Sequence, residues 1–418
     1  MRVTLLIPWL GGLLMALAML SGCRTTSAVS DDKAKAVPTD RVRGMLLGSL
    51  IGDAAGGPVE FVPDNRIEGA GTWFRVWRGG ERLEPSEFAA YGAGLELLDY
   101  SVFRPEPEPY AHWVSDAPAG TVTDDSRQKF IVVEMIAHEL ERAGTRGVAT
   151  LDEAALARAY LRWERAQAGT PTEALNEEWV REYMKAARWV VGIREDAAPP
   201  SRLWGGIPTC AGQMALPPIA GAFPGDPEGA YRASYRAAFI DNAEARDLNA
   251  AIVAGLAAAL AVDAEGDPWL RIKAAMIETD PWRYAEVPWV ERSVPRWIRF
   301  AEDAAVRAQG EPAALKRIIE EELGAETWWE AHTTFTMALC AMEFCGYDPM
   351  ASMRVAIELG YDTDSTAQMV GMFMGAVYGS PVFPERLREP VEHRLGVEYD
   401  ESVDAWVRTL EAAAGRVR

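Results

Sequence analysis

Two short acidic segments hold the residues best suited to chemistry. Thr121-Val122-Thr123-Asp124-Asp125-Ser126 stands just ahead of the apolar run Phe130 to Ile136. Gly360-Tyr361-Asp362-Thr363-Asp364-Ser365-Thr366 opens a second apolar run. Each places two carboxylates and adjacent hydroxyls where a helix should begin. A single Asp, Ser or Thr is enough to cap a helix, by accepting from an orphan amide. Asp124 beside Asp125, and Asp362 two residues from Asp364, crowd like charges beyond that need. A divalent cation would neutralise them, and carboxylates, hydroxyls and waters are the ligands of hard cations such as magnesium, manganese or calcium. Either cluster alone also reads as helix caps; two in one chain favour a metal. A third polar cluster, Gly52-Asp53-Ala54-Ala55-Gly56-Gly57-Pro58-Val59-Glu60-Phe61, adds the carboxylates Asp53 and Glu60.

The other metal chemistry has little support. The four histidines (His112, His138, His332, His393) show no paired spacing, so a zinc site of His and Cys is not expected. Of the four cysteines, Cys340 and Cys345 fit a helix core, and Cys23 belongs to the amino-terminal segment discussed below.

The elements that must position these clusters read as helices. Leu151 to Val191 has helical periodicity broken around Gly169-Thr170-Pro171-Thr172. Asp247 to Val262, Pro312 to Leu323, Thr333 to Cys345, Pro349 to Leu359 and Thr363 to Tyr378 are further helices. Two segments repeat glycine every four residues: Gly44, Gly48, Gly52, Gly56, and Gly371, Gly375, Gly379. Residues four apart share a helix face, and glycine in a helix costs about 1 kcal/mol against alanine. Such rows predict a seam where another backbone approaches closely, beside the acidic clusters. No convincing strand appears, Phe74 to Trp77 being the best. Glu81 to Gly120, rich in Pro, Gly and aromatics, reads as a long loop or insertion. The expected class is all-α, in one domain.

Residues 1–22 read as a signal peptide: Met1 and Arg2, then an apolar run from Leu5 to Leu20. Leu20-Ser21-Gly22-Cys23 resembles a bacterial lipobox, with Cys23 lipidated. Residues 24–39 are small and polar and read as a flexible tether, leaving 40–418 as the folded domain. The expectation is a protein lipid-anchored in a bacterial cell envelope, facing the periplasm or exterior, with the anchor its only membrane contact. With 62 acidic against 42 basic residues the formal charge is -20, which disfavours nucleic acid as a partner.

Taken together, the motifs resemble those of the ADP-ribosylglycohydrolases, which include the dinitrogenase-reductase-activating and ADP-ribosyl-hydrolase groups. Arg43-Gly44-Met45-Leu46-Leu47-Gly48 through Gly52-Asp53-Ala54 to Pro58-Val59-Glu60-Phe61 is similar to the family's first motif. Thr123-Asp124-Asp125-Ser126 is similar to its Thr-Asp-Asp-Thr motif, and Gly360-Tyr361-Asp362-Thr363-Asp364-Ser365 to its Gly-Gly-Asp-Thr-Asp-Thr motif. The resemblance spans about 41 to 385. It implies a single orthogonal helical domain with a central binuclear magnesium site, manganese being possible. By position it puts Thr123, Asp124 and Asp125 on one metal, Asp362 and Ser365 on the other, and Asp364 between them. Glu60 matches the acidic residue near the scissile bond; Asp53 matches a motif aspartate, structural before catalytic.

The implied function is hydrolysis of an N- or O-glycosidic bond at ribose, on an ADP-ribosyl or related small molecule or a modified protein. Tyr361 stands where the family has a glycine. Thr209-Cys210-Ala211-Gly212-Gln213-Met214 stands where it has Asn-Gly-x-x-Met-Arg, and Phe239-Ile240-Asp241-Asn242 near its Thr-His pair. These changes point to altered substrate contacts rather than altered metal contacts. Two alternatives stay open: a non-catalytic lipoprotein binding ADP-ribose-like ligands through the metal, and phosphoester hydrolysis at the same kind of centre. Trp73, Trp77, Trp113 and Trp204 could stack on a base or sugar, though core packing is the commoner use of tryptophan.

Overall fold

The computed structural model describes residues 38–61, 74–78, 80–83, 95–103, 114–168, 178–261 and 265–418. The expected signal segment, Cys23 and the tether up to residue 37 lie outside them. Thr39, expected to end the tether, opens the first helix, α1 (Thr39–Gly56). Among the described residues, no helix is long and apolar enough to cross a membrane.

After α1 come α2 (Asp124–Ala143), α3 (Glu153–Gln167), α4 (Glu178–Val190), the short α5 (Ala211–Ala215) and α6 (Pro227–Ala237). There follow α7 (Ala245–Ala259), α8 (Pro268–Glu278), α9 (Val294–Arg307), α10 (Pro312–Glu322), α11 (Ala331–Phe344), α12 (Pro349–Glu358), α13 (Thr363–Tyr378), α14 (Glu385–Tyr399) and α15 (Val403–Ala413). The domain is all-α in its organisation. Several starts follow one local rule, an aspartate before a proline. Asp226, Asp267 and Asp348 accept from the amides of Gly229 (3.0 Å), Trp269 (2.8 Å) and Ala351 (2.8 Å). The proline that follows has no amide hydrogen to satisfy in the first turn.

Among the described residues, four long buried helices make the centre. In α1 every residue from Gly44 to Gly56 is buried, in α13 every residue from Thr363 to Val377. α7 and α11 are buried along almost their whole length and pack on α13 together with α12. The two glycine rows face each other. A Cβ on Gly48 would overlap the Gly371 carbonyl, one on Gly371 the Gly48 carbonyl, and one on Gly375 the Gly44 carbonyl. The predicted seam is therefore α1 against α13, backbone to backbone.

Phe74 to Trp77, the best strand candidate from sequence, lies in a strand, and the region Glu81 to Gly120, expected as a loop, contains three more among the described residues. β1 (Phe74–Arg78), β2 (Glu81–Leu83), β3 (Asp99–Phe103) and β4 (Val114–Ala117) form an antiparallel sheet in the order β2-β1-β3-β4. Val76 pairs with Tyr100 and Tyr100 with Ala117. Strands this short are separated by Pro-rich stretches, so alternation never runs long enough to register as a period of two.

Candidate metal centre

Three helix ends meet at the acidic clusters. The seam lays the last turn of α1 against the first turn of α13, close enough that a Cβ on Gly56 would lie 2.5 Å from the Asp364 backbone. Thr363 Oγ1 locks the junction by donating to the Gly56 carbonyl at 2.9 Å. α2 is moored to α1 through Asp53, which is fully buried. Its carboxylate accepts from the Thr123 amide at 3.0 Å, the Ser126 amide at 3.1 Å and the Ser126 hydroxyl. That places a carboxylate at the positive end of α2 and ties α2 to α1.

The capping of these helices leaves carboxylates over. Thr123 caps α2, its Oγ1 accepting from the Asp125 amide at 3.2 Å and donating to Asp364 Oδ2 at 2.9 Å. Asp362, at the N-cap of α13, makes no side-chain capping bond. Its Oδ2 accepts instead from Cys210 Sγ at 3.3 Å and from Thr334 Oγ1 at 3.4 Å. Asp125 Oδ2 accepts from Ser365 Oγ at 2.8 Å and from Gln368 Nε2.

Carboxylate oxygens of Asp124, Asp125 and Asp364 lie within 4.8 Å of one another, and so do those of Glu60, Asp362 and Asp364. Asp364 belongs to both groups. Thr123 and Ser365 flank them through the hydroxyl bonds just given, so every residue picked from the sequence motifs falls at one place. Burial, and then the charges of Asp124 and Asp362, push Asp125 well above the usual carboxylate range. Burial, and then Glu60 and Asp125, do the same to Asp364. Asp53 and Asp362 are raised by burial, against their hydrogen bonds. Like charges gathered out of water need a cation, and the donors are all oxygen, which fits a hard divalent ion.

Glu60 follows the 3-10 turn Gly57–Val59 and is half-buried. The chain after it is pinned to the other cluster: the Phe61 amide donates to the Tyr361 carbonyl at 2.7 Å. Both residues take left-handed backbone, φ +52° at Phe61 and +66° at Tyr361. Tyr361 thus holds a conformation that glycine adopts freely. Its ring stacks on Trp328 at 3.9 Å and its hydroxyl donates to Glu320 Oε1 at 2.5 Å. Phe61 meets Trp329 edge-on at 5.8 Å. Phe61, next to Glu60 in the chain, and Tyr361 thus carry Trp329 and Trp328 against them. Of the tryptophans considered from sequence, Trp73, Trp113 and the side chain of Trp77 lie outside the described residues, while Trp204 donates to the Tyr183 hydroxyl at 3.3 Å.

Sequence reasoning missed other neighbours. Cys210 and Thr334 touch Asp362, so the segment 209–214, expected to alter substrate contacts rather than metal contacts, reaches a candidate ligand. Lys129 and Gln368 lie under the centre, one helical turn beyond Asp125 and Asp364. Their signal was in the chain, as long polar side chains at i+4 inside apolar helices.

A family model described as ADP-ribosylglycohydrolase matches residues 34–417. Among solved structures, one titled "ADP-ribosylglycohydrolase-related protein complex" superposes with a TM-score of 0.51 at 22% identity, over 90% of this chain and 98% of that one. That likeness is one of fold. Among curated proteins, none matches. With the family model covering nearly the whole described domain, the chain belongs to the ADP-ribosylglycohydrolase family.

Proposed function

We propose that the protein is a hydrolase of N- or O-glycosidic bonds at ribose, acting on an ADP-ribosyl or related substrate with two divalent cations, magnesium or manganese. The observation that carries this reading is Asp364, shared by two triads of carboxylates at the meeting of three helix ends. One ion would be held by Thr123, Asp124, Asp125 and Asp364, the other by Asp362, Asp364 and Ser365. Bound there, the cations would supply Lewis-acid polarisation of ribose oxygens or water.

The chain's own residues do the rest. Glu60 belongs to the second triad and is only half-buried, so it can serve both the centre and an entering substrate. It can take a proton from an attacking water or give one to the leaving group, both within the compass of a carboxyl group. Asp53 and the glycine seam join α2, α1 and α13, which holds the ligand-bearing helix ends together. By its Leu20-Ser21-Gly22-Cys23 segment, the protein is proposed to work on the outer side of a bacterial membrane, held by a lipid on Cys23.

Incubating the chain and magnesium with model ADP-ribosyl glycosides, and identifying the products, tests the reading. Free ADP-ribose is expected. AMP with ribose phosphate would instead mark a phosphoesterase, and intact substrate with bound ligand would mark a binding protein.

A further inference from the structure

Beneath the candidate ligands lies a second polar layer, wholly inside the protein. Lys129 follows Asp125 by one turn of α2, Gln368 follows Asp364 by one turn of α13, and Ser49 comes from α1. Each is 1% exposed. Lys129 Nζ donates to the Asp125 carbonyl at 3.0 Å and to Gln368 Oε1. Ser49 Oγ donates to the same oxygen at 3.3 Å, and Gln368 Nε2 donates back to Asp125 Oδ2. The amide thus links the lysine to a candidate metal ligand and fixes which Asp125 oxygen is taken.

Among the described residues, no carboxylate lies within ion-pair distance of Lys129. A buried ammonium whose contacts are all neutral oxygens is costly unless a wider field holds it. Burial lowers the pKa of the Lys129 ammonium from its usual range, and the carboxylates of Asp125, Asp53, Asp364 and Asp124 oppose that by favouring the charged form.

We propose that Lys129 is a tethered internal cation of the acidic centre. It offsets the carboxylates when metal is absent, and it repels divalent cations when they bind, which keeps their affinity below what the ligands alone would give. This rests on the metal-dependent reading above. A purely structural lysine would act in the opposite sense on the second point, since losing it would loosen the ligands and weaken binding.

The test is calorimetric titration of magnesium into the full chain and into Lys129→Met, with melting temperatures of both in EDTA. The expected result is magnesium bound roughly tenfold tighter by the variant, together with a lower melting temperature of its metal-free form. Lys129→Gln repeats the measurement if the methionine variant does not fold. Equal or weaker binding by the variant, with magnesium bound by the wild type, would overturn the role of Lys129 and leave the metal centre standing. Failure of the wild type to bind any divalent cation would overturn both.

Discussion

Glu60 and Asp53 come from one stretch of chain and do different work. Asp53 is buried and its carboxylate is occupied by the amides and hydroxyl at the start of α2. Glu60 is half-buried and stands beside Asp364. Glu60→Gln should therefore lower turnover by roughly 10²–10⁴-fold, the usual scale of general acid–base catalysis, with the melting temperature little changed. Measuring kcat and thermal unfolding on the same sample checks this. An equal loss from unfolding would mean that Glu60 holds the fold instead. Asp241 offers a separate test. It is buried, accepts from the Gly212 amide at 2.8 Å, and burial raises its pKa to about 7. An unfolded aspartate titrates near pH 3.9, so the folded protein retains a proton there that the unfolded chain has lost. Stability from this group is full below about pH 4 and is lost as pH rises to about 7. Asp241→Asn should gain on the wild type by about 1 kcal/mol per pH unit across that window, read from denaturant unfolding at several pH values. A pH-independent difference would contradict it.

At the scale of elements, the α1–α13 seam decides the geometry of the centre. Gly371→Ala would drive a methyl into the Gly48 carbonyl, and overpacking of this kind costs about 1–3 kcal/mol. Because Asp364 rides on α13 and Asp53 on α1, the same variant should also weaken magnesium binding, seen by calorimetry beside the melting curve. Loss of stability with magnesium affinity intact would show the seam to be packing alone. The helices and this seam were legible in sequence because period and spacing are local properties. Thr123, Asp124, Asp125, Asp362, Asp364 and Ser365 were legible for the same reason, as each cluster exceeds what a cap requires. Of the sheet only β1 was hinted at, by Phe74 to Trp77, while β2, β3 and β4 were not legible, being too short to show alternation. Cys210, Thr334 and Trp328 were not, because only the fold brings them to Asp362 and Tyr361. Tyr361 is instructive: the sequence marked a changed residue where the resemblance has glycine, yet the backbone stays left-handed. Its ring finds Trp328 and its hydroxyl Glu320, which offset the strain of a bulky residue at φ +66°.

For the molecule as a whole, the buried carboxylates make stability and metal occupancy one problem. A ligand that binds only the folded state stabilises it by about 2.7 kcal/mol at a hundred times its dissociation constant. Magnesium should therefore raise the melting temperature and EDTA reverse the rise, while Asp364→Ala should stay folded and show neither effect. A magnesium-induced rise that persists in Asp364→Ala would remove that residue from the centre. The most direct test of the central claim is calorimetric titration of ADP-ribose into the protein, with magnesium and then with excess EDTA. The account predicts binding that requires magnesium and is absent in Asp364→Ala. Binding that survives EDTA, or no binding with the metals shown to be present, would contradict a metal centre built to hold an ADP-ribosyl group.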